Sequence, residues 1–522
     1  MKRGPILLSL LVCSLILATV YWKSLSFKAA TLPNGATFTP SECWFEHSAL
    51  VRVECGYLQT RAENPKIPSF KLPIVVLRHS WWQNSKSPML HLSGGPGGAA
   101  YLDAKSMPFQ IDNFEYQEWG VDFVLYDQRG TGLSEPALRC DGLIDKIEKS
   151  LAIAKLASED SAEFIANTQL CLRQLSVNDK YKQHIKYVST DYSVQDIADL
   201  HDLLNVEQWV LMGTSYGTRL ALESARQVPS KIKSMVLDSV YPPEFDGFET
   251  LAENDLTAIP AMLDFCQNDL SCNDQYPNLH KDFIRALTKL KQKPLNVTVM
   301  KDVTDDSYPA RDLALTADRF FTLLSYASYD SSLISLVPEA IEWVLEGGGD
   351  SQIRQLTSNL LDMQLDENFS DPVYMITECL ENGDFDLLAL EKRLEVYQAQ
   401  FPMLDLSVSR YYNKAMCDGW RDLSTSSPRD YRAQVISDIP TLVLAGELDS
   451  VTPASWGVSA VKGLSNSVYL EYPQAAHAVL YSSLCSNDEV YQFLNPEQPE
   501  SIFCDKDERL LERSTGVSPW GN

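Results

Sequence analysis

The sequence has few basic residues for its length. Lysine and arginine together number 44 against 70 aspartates and glutamates, which gives the 522 residues a formal charge of −26. Proteins that hold nucleic acids neutralise phosphates with basic patches, so this balance argues against a nucleic-acid partner. The simplest interpretation of the excess acid is a solvated surface that keeps the protein soluble.

Long apolar runs are confined to the N-terminus. A charged start is followed by an apolar run from Ile6 to about Trp22, the pattern of a secretory signal. The small residues Ala29-Ala30 lie well past this run, so residues 1–30 are predicted to be either a cleaved signal peptide or a membrane anchor. Both interpretations predict export, to the periplasm or the exterior, and the second adds a membrane tether.

The close C-x-x-C spacing that favours zinc sites is missing, and no metal site is expected. Eleven cysteines are present, and Cys13 lies in the apolar leader. The other ten are an even number in a chain predicted to be exported, which indicates disulfides. Sequential pairing would join Cys43 to Cys55 and so on up to Cys485 with Cys504, although the sequence leaves the connectivity open.

Short runs rich in Val, Leu and Ile predict the strands of a sheet that is covered on both faces. They occupy residues 74–77, 89–92, 123–126, 209–212, 235–237, 441–445 and 468–470. Helical patterns such as 194–204 and 218–227 lie between them, which predicts a mostly parallel α/β sheet. The alternation stops between about Pro243 and Ile439, where the pattern is helical, for example over 312–326 and 331–345. We therefore expect a core of residues 31–242 and 439–522 and a mainly helical cap insertion of 243–438.

The strongest local motif is Gly213-Thr214-Ser215-Tyr216-Gly217. It follows a predicted strand directly and precedes a helical pattern, which is the context that a G-x-S-x-G nucleophile turn requires. Small residues on both sides of Ser215 allow the sharp turn that exposes its hydroxyl. Ser215 is therefore the candidate nucleophile of the α/β-hydrolase fold.

A serine nucleophile needs a base, and the base needs an orienting acid. Of the seven histidines only His477 follows a late strand, in the order nucleophile, acid, histidine that this fold uses. Asp449 follows the strand predicted at 441–445 and is the preferred acid. Glu447 and Asp238 are the fallback acids.

Acyl transfer also needs donors for an oxyanion. The glycine-rich segment from Ser93 to Gly98 follows the strand at 89–92, where the fold places one oxyanion N–H. Gly94, Gly95 and Tyr216 are the predicted contributors. Phosphate binding is the usual rival for such a loop, but neither G-x-x-x-x-G-K-[ST] nor G-x-G-x-x-G is present here.

Taken together, these motifs and the block Asp127-Gln128-Arg129-Gly130-Thr131-Gly132-Leu133-Ser134 resemble the proline iminopeptidase family, and within it the secreted tripeptidyl aminopeptidase branch. The resemblance implies release of one to three residues from peptides with a free amino terminus, without a metal or organic cofactor. Many iminopeptidases have histidine where Ser93 stands, which favours the tripeptidyl branch. The segment from Thr377 to Glu381 resembles the part of the cap that holds the substrate's ammonium group, with Glu381 as first choice and Glu378 as second.

Other interpretations remain open at this point. An esterase or lipase would use the same three residues on an ester, and a non-catalytic binding protein could share the scaffold. Asp127 and Arg129 are assigned to structure, as a loop ion pair near the site. The sequence does not fix the oligomeric state, the number of residues released or the side-chain preference.

Overall fold

A computed structural model gives the fold, and it describes residues 26–47, 51–62, 69–299, 310–348, 353–383, 385–407, 414–425 and 430–497. The strands are β1 (Ala30–Thr31), β2 (Thr37–Ser41), β3 (Arg52–Gln59), β4 (Lys71–Arg78), β5 (Met89–Leu92), β6 (Phe123–Tyr126), β7 (Trp209–Thr214), β8 (Ile232–Asp238), β9 (Leu295–Val299), β10 (Arg311–Leu315), β11 (Thr441–Gly446) and β12 (Ser467–Tyr472). All seven predicted strands are present, most of them a few residues longer than predicted.

Ten of these strands form one sheet in the order β1-β2-β3-β4-β6-β5-β7-β8-β11-β12. From β6 to β12 in that order neighbouring strands run parallel, whereas β1 to β4 pair antiparallel and β4 runs antiparallel to β6. The prediction of a mostly parallel sheet is confirmed. The antiparallel strands β1 to β3 were not predicted, because their polar and apolar residues are mixed and only partly buried.

Both faces of the sheet are covered. On β11, Val443 packs into one cluster of buried apolar side chains, whereas Leu442 and Leu444 pack into another. Successive residues of a strand point to opposite faces, so these two clusters lie on opposite sides of the sheet. Burial on both sides is what made the strands readable as continuous apolar runs.

The helices of the described chain follow in order. They are α1 (Met107–Gln117), α2 (Leu143–Leu151), α3 (Ala157–Val177), α4 (Thr190–Leu204), α5 (Tyr216–Gln227), α6 (Gly247–Asn268), α7 (Leu270–Gln275), α8 (Leu279–Gln292), α9 (Ala317–Tyr326), α10 (Ser331–Ile334), α11 (Val337–Glu346), α12 (Ile353–Gln364), α13 (Asp371–Glu381), α14 (Leu387–Gln400), α15 (Lys414–Cys417), α16 (Ala454–Val461), α17 (Val479–Ser482) and α18 (Leu484–Leu494). Helices α4 and α5 contain the two patterns predicted at 194–204 and 218–227.

The chain between β8 and β11 builds a third cluster of buried apolar side chains, separate from the two that flank the sheet. Phe283, Phe320 and Trp343 belong to it. Leu448 and Ala476, which directly precede the predicted catalytic acid and base, also pack into this cluster. We call the chain between β8 and β11 the helical layer. It therefore touches the two loops that carry the predicted acid and base.

Two helix predictions in this layer were partly wrong, one in where the helix begins and the other in its continuity. The helix predicted over 312–326 begins only at Ala317. The residues before it, up to Leu315, form strand β10, which pairs with β9. Thr316 then caps the helix by accepting the N–H of Arg319. The helix predicted over 331–345 is divided into α10 and α11. Pro338 lies in the first turn of α11, where proline fits a helix start and not a helix interior.

Helices α2 and α3 lie before β7 in sequence but contact the helical layer. Ile144 and Leu151 pack against its apolar cluster. The guanidinium of Arg319 pairs with Asp160 of α3 at 2.8 and 3.0 Å, and it also donates to the carbonyl of Leu151. The covering of the site therefore draws on two separate stretches of the chain.

Among the described residues, four disulfides join Cys43 to Cys55, Cys140 to Cys171, Cys266 to Cys272 and Cys379 to Cys417. Sequential pairing is thus confirmed for these four pairs. The fifth expected pair includes Cys504, which lies outside the described residues, as do Cys13 and the apolar run of the leader. Within the described ranges no helix has the length and apolar character needed to cross a membrane.

Candidate active site

Ser215 occupies the turn between β7 and α5. Its backbone has φ 57° and ψ −124°, a left-handed conformation that is costly for a non-glycine residue and is typical of a nucleophile turn. The flanking glycines are required by close contacts: a Cβ atom at Gly217 would lie 1.9 Å from the carbonyl oxygen of Leu92. A Cβ atom at Gly213 would lie 2.4 Å from the backbone of Gly217.

His477 and Asp449 form a buried pair. The His477 Nδ1 atom lies 2.8 Å from Asp449 Oδ2, and both residues are almost fully shielded from solvent. Burial alone would lower the pKa of His477, but the charge of Asp449 and the hydrogen bond to it raise that pKa above its ordinary value. The contact leaves the other ring nitrogen, Nε2, available for chemistry.

The two fallback acids do not contact the His477 ring. Glu447 accepts a long hydrogen bond of 3.4 Å from the N–H of Gln474, and Asp238 accepts from the N–H groups of Val479 and Leu480. Of the three carboxylates considered, only Asp449 is positioned to orient the imidazole.

The loop that carries His477 is fixed beside the nucleophile turn. Ser215 donates its N–H to the carbonyl of Asp238 at 3.0 Å, and the next residue, Ser239, accepts the N–H of Ala478 at 2.8 Å. Ala478 directly follows His477. The Ser215 hydroxyl makes no hydrogen bond to the His477 ring among the described residues, and such bonds are often long in unliganded sites.

The glycine-rich loop lies against the nucleophile. A Cβ atom at Gly94 would come within 3.1 Å of the Ser215 Cβ atom, and Gly95 has φ 108°, a conformation that favours glycine. The predicted third member, Tyr216, is the first residue of α5 and follows Ser215 directly. The structure therefore places Gly94 and Tyr216 beside Ser215, with Gly95 as the next residue of the loop.

The block from Asp127 to Ser134 is hydrogen-bonded to both ends of this loop. The buried Asp127 carboxylate accepts the N–H groups of Ala100 and Leu133, each at 2.7 Å, and Gln128 donates to the carbonyl of Ser93. Arg129 pairs with Asp196 through two contacts of 2.7 Å. The expected ion pair between Asp127 and Arg129 was therefore wrong: each residue is structural, but with a different partner.

The helical layer covers the site from two directions. The backbone N–H of His477 donates to the carbonyl of Ser328 at 2.7 Å, and the ring of Tyr329 packs edge-on to the His477 ring at 5.3 Å. On the other side, Ser370 donates its N–H to the carbonyl of Gly97 at 2.9 Å, just before α13 begins. Helix α13 therefore starts at the glycine-rich loop.

The two predicted anchors lie further along α13 and differ in their partners. Glu381 accepts from the Thr190 hydroxyl and lies 3.4 Å from the guanidinium of Arg219. Glu378 accepts from the Tyr241 hydroxyl at 3.2 Å and from the Asn382 amide at 2.7 Å. Both carboxylates are buried.

The electrostatic state of Glu378 follows from that burial. In the described part of the chain no lysine or arginine nitrogen lies within salt-bridge distance of it. Burial raises the pKa of Glu378 to about 7, although the nearby charge of Arg219 acts in the opposite direction. Of the two glutamates, Glu378 is the one whose negative charge lacks a counterion in contact.

One residue of the site was missed in the sequence. The Thr452 hydroxyl lies 2.8 Å from Asp449 Oδ2 and 3.1 Å from His477 Nδ1, so that it touches both members of the pair. The Asp449 carboxylate also accepts the N–H groups of Val451 and Thr452, each at 2.8 Å. The only signal in the sequence was the position of a hydroxyl residue three places after the predicted acid.

No group of three or more His, Cys, Asp or Glu side chains with an arrangement suited to a metal ion occurs among the described residues. The candidate site is instead a serine, a histidine and a carboxylate next to a glycine-rich loop. Such an arrangement can perform nucleophilic acyl transfer.

Comparison with known proteins agrees with this geometry. A family model described as the α/β hydrolase fold matches residues 87–483. The serine protease Hip1 of Mycobacterium tuberculosis strain H37Rv is 23% identical over 414 residues, 76% of this chain and 76% of that protein. A probable proline iminopeptidase of Leptolyngbya boryana is 24% identical over 174 residues, 33% of this chain and 38% of that protein.

Among solved structures, the proline iminopeptidase of Mycobacterium smegmatis matches 82% of this chain and 97% of its own, with 15% identity and a TM-score of 0.35. The family match and the two sequence relatives confirm the predicted resemblance to the proline iminopeptidase family, and none of them bears on the tripeptidyl aminopeptidase branch.

Proposed function

Because the chain belongs to the α/β-hydrolase family and is a serine hydrolase of that fold, we propose that it is an exopeptidase that releases one to three residues from peptides with a free amino terminus. Ser215 is the nucleophile, His477 the base and Asp449 the orienting acid. The observation that supports the exopeptidase assignment is the buried carboxylate of Glu378, which has no cation in contact among the residues that the structure describes.

The proposed reaction is an acyl transfer in two steps. His477 takes the Ser215 proton as the hydroxyl attacks the scissile carbonyl, and N–H groups of the loop at Gly94 and Gly95 and of Tyr216 stabilise the oxyanion. His477 then protonates the leaving amine and activates the water that hydrolyses the acyl-enzyme. Asp449 stabilises the imidazolium in both steps.

Glu378 is the proposed anchor for the substrate's α-ammonium group, ahead of Glu381. Ser370, the residue directly before α13, binds the Gly97 carbonyl, and Glu378 lies in the last turn of that helix, about 10 Å from its first residue at 1.5 Å per residue. Extended peptide spans about 3.3–3.6 Å per residue, so this distance suits an amino terminus two or three residues before the scissile bond. An ammonium group supplies the missing counterion, a contact of about 1.5–3 kcal/mol.

Peptides are the proposed substrates because the relatives include a protein named as a serine protease. Export, with a cleaved or anchoring leader, is proposed from the N-terminal pattern and from the four disulfides, which persist in oxidising compartments. The esterase interpretation uses the same nucleophile and is separated from the peptidase by experiment.

The test is a paired peptide library in which each sequence is present with a free and with an acetylated amino terminus. We expect cleavage after the first, second or third residue of the free peptides only, with products identified by mass spectrometry. Short-chain esters are assayed in parallel with aminoacyl amides. Equal cleavage of acetylated peptides would contradict the exopeptidase proposal, and turnover confined to esters would support the esterase.

A further inference from the structure

Asp238 holds the loop that carries the proposed base. It is the last residue of β8, and its carboxylate is fully buried. Oδ1 accepts the N–H of Val479 at 2.8 Å, and Oδ2 accepts the N–H of Leu480 at 3.1 Å. These residues follow His477 by two and three positions. The side chain thus binds the chain just beyond the imidazole by two charge-assisted hydrogen bonds.

The backbone of the same residue binds the nucleophile turn. Its carbonyl accepts the N–H of Ser215 at 3.0 Å. The next residue, Ser239, has φ 58° and accepts the N–H of Ala478 through its hydroxyl at 2.8 Å. Asp238 and Ser239 therefore connect the two loops whose relative position sets the distance between Ser215 and His477.

The charge on Asp238 is costly to maintain. The titratable groups that act on it are His477, Asp449, Tyr472 and Tyr481, and among the described residues no lysine or arginine forms an ion pair with it. Burial raises the pKa of Asp238 to about 6, although the two N–H donors and His477 act in the opposite direction. A neutral residue would avoid this cost, so the carboxylate calls for a functional explanation.

We propose that Asp238 is a positioning residue that fixes the His477 loop against the Ser215 turn and thereby sets the geometry of proton transfer. It touches neither the substrate nor the His477 ring, and it is distinct from the orienting acid Asp449. The proposal rests on the assignment of Ser215 and His477 as nucleophile and base, and it does not depend on which substrate the enzyme takes.

The ionised carboxylate suits this role better than its neutral analogues. Each of its oxygens accepts one N–H, whereas an asparagine presents one oxygen and one NH₂ group to the same two donors. One loop N–H would then face another donor. A misplacement of about 1 Å in a catalytic group can lower a rate by about a hundredfold.

The experiment compares the wild-type enzyme with Asp238→Asn. The probe is a fluorophosphonate, which reacts with an activated serine and reports acylation without any peptide specificity. We expect the labelling rate constant and the kcat for a peptide amide to fall by about ten- to a hundredfold, with KM changed by less than about threefold. If the wild-type enzyme is labelled by the probe but fails the exopeptidase assays, that result counts against the proposed substrate only, whereas an undiminished labelling rate in Asp238→Asn counts against the positioning role.

Asp122 provides a control at a distant site. It is an equally buried aspartate that accepts the N–H groups of His79 and Ser85, but it precedes β6, at the opposite ends of the parallel strands from Ser215. Unlike Asp238, it also pairs with Arg78 at 2.8 Å and with the His79 ring at 2.7 Å, so its neutralisation disturbs the local fold at least as much. Asp122→Asn is expected to lower stability while the labelling rate per folded molecule stays within about twofold. An equal loss of labelling rate in both variants would overturn the proposal, because it would indicate a general effect of disturbing a buried carboxylate.

Ser239→Ala is the second variant, for the case that Asp238→Asn does not fold. It removes only the hydroxyl that accepts from Ala478, and a labelling rate lowered by about three- to tenfold is expected.

The pH dependence of labelling is a third readout. Protonation of both His477 and Asp238 should make the acid limb of wild-type labelling steeper than one proton, and Asp238→Asn should reduce it to one. An unchanged rate and slope in both variants would overturn the positioning role.

Discussion

The guanidinium of Arg219, on α5, lies 3.4 Å from the carboxylate of Glu381, at the end of α13, and both residues are buried. Arg219 also packs over the ring of Tyr241 at 3.7 Å. Glu381 is therefore already partnered by a cation, which reverses our order of preference between the two glutamates of α13.

The first prediction separates these glutamates. Glu381→Gln leaves the Arg219 charge buried without its partner and should destabilise the fold by about 3–5 kcal/mol. Glu378→Gln should instead lower kcat/KM for free-amino peptides by about ten- to a hundredfold, since the ammonium group loses its counterion. Denaturant unfolding and peptide kinetics on both variants provide the measurement.

Comparison of Glu378→Gln with the wild type also tests the charge state of Glu378. Because its folded pKa of about 7 lies above the unfolded value, its ionised form costs stability at neutral pH, and the cost disappears as the pH falls. Glu378→Gln should therefore match the wild type near pH 4.5 and exceed its stability by up to about 3 kcal/mol at pH 8. A variant less stable than the wild type at both pH values would show that Glu378 is a structural residue.

The second prediction concerns the nucleophile. Ser215→Ala removes a hydroxyl without filling space, so the fold should be retained while amide hydrolysis falls by more than about a thousandfold. Fluorophosphonate labelling should disappear as well. Substantial turnover by the purified variant would remove Ser215 from the mechanism.

The third prediction concerns Thr452, whose hydroxyl contacts both Asp449 and His477. Thr452→Val preserves the shape and removes the hydroxyl, and it should lower kcat by about tenfold with KM nearly unchanged, because the pair loses one of its restraints. Thr452→Ser is the matched control, since it keeps the hydroxyl. If serine and valine give the same rate, the methyl group matters and the hydrogen bonds do not.

The sequence was sufficient for the buried parts of the fold. The strand that contains Val443 is buried on both faces, so it is a continuous apolar run. Gly217 must be glycine because the Leu92 carbonyl lies too close for a side chain. In both cases close packing restricts the residue type, and the restriction is visible in the sequence. His477 could be predicted from chain order alone.

Other features depend on contacts between residues far apart in sequence, which no local pattern records. The partner of Arg129 is Asp196, and that of Glu381 is Arg219, more than 60 and 160 residues away respectively. Thr452 was missed because a hydroxyl residue in a loop is common, and only the fold brings it to His477. The extent of β10 likewise depended on its pairing with β9.

The fourth prediction concerns the cysteines. If the protein is exported, all ten cysteines beyond the leader should be oxidised in the mature chain. Alkylation without reductant, followed by mass spectrometry, should modify almost none of them, and peptides joining Cys379 to Cys417 should be found. Several free thiols in protein purified from its native compartment would contradict export into an oxidising environment.

The last prediction is the pH dependence of peptide hydrolysis. His477 acts as a base only when neutral, and Asp449 raises its pKa, so activity should be lost on the acid side at a higher pH than the ordinary histidine value of about 6.5 would give. On the alkaline side, the substrate's α-amino group loses its proton near pH ~7.7–8.0 and with it the attraction to Glu378. The kcat/KM profile for free-amino peptides should therefore be a narrow bell. A short ester without an amino group provides the control, because it should retain the His477 part of the acid limb and lose both the part due to Glu378, whose pKa is about 7, and the alkaline limb, which belongs to the substrate. An alkaline limb that persists with the ester would place that ionisation on the protein and remove the support for an ammonium anchor.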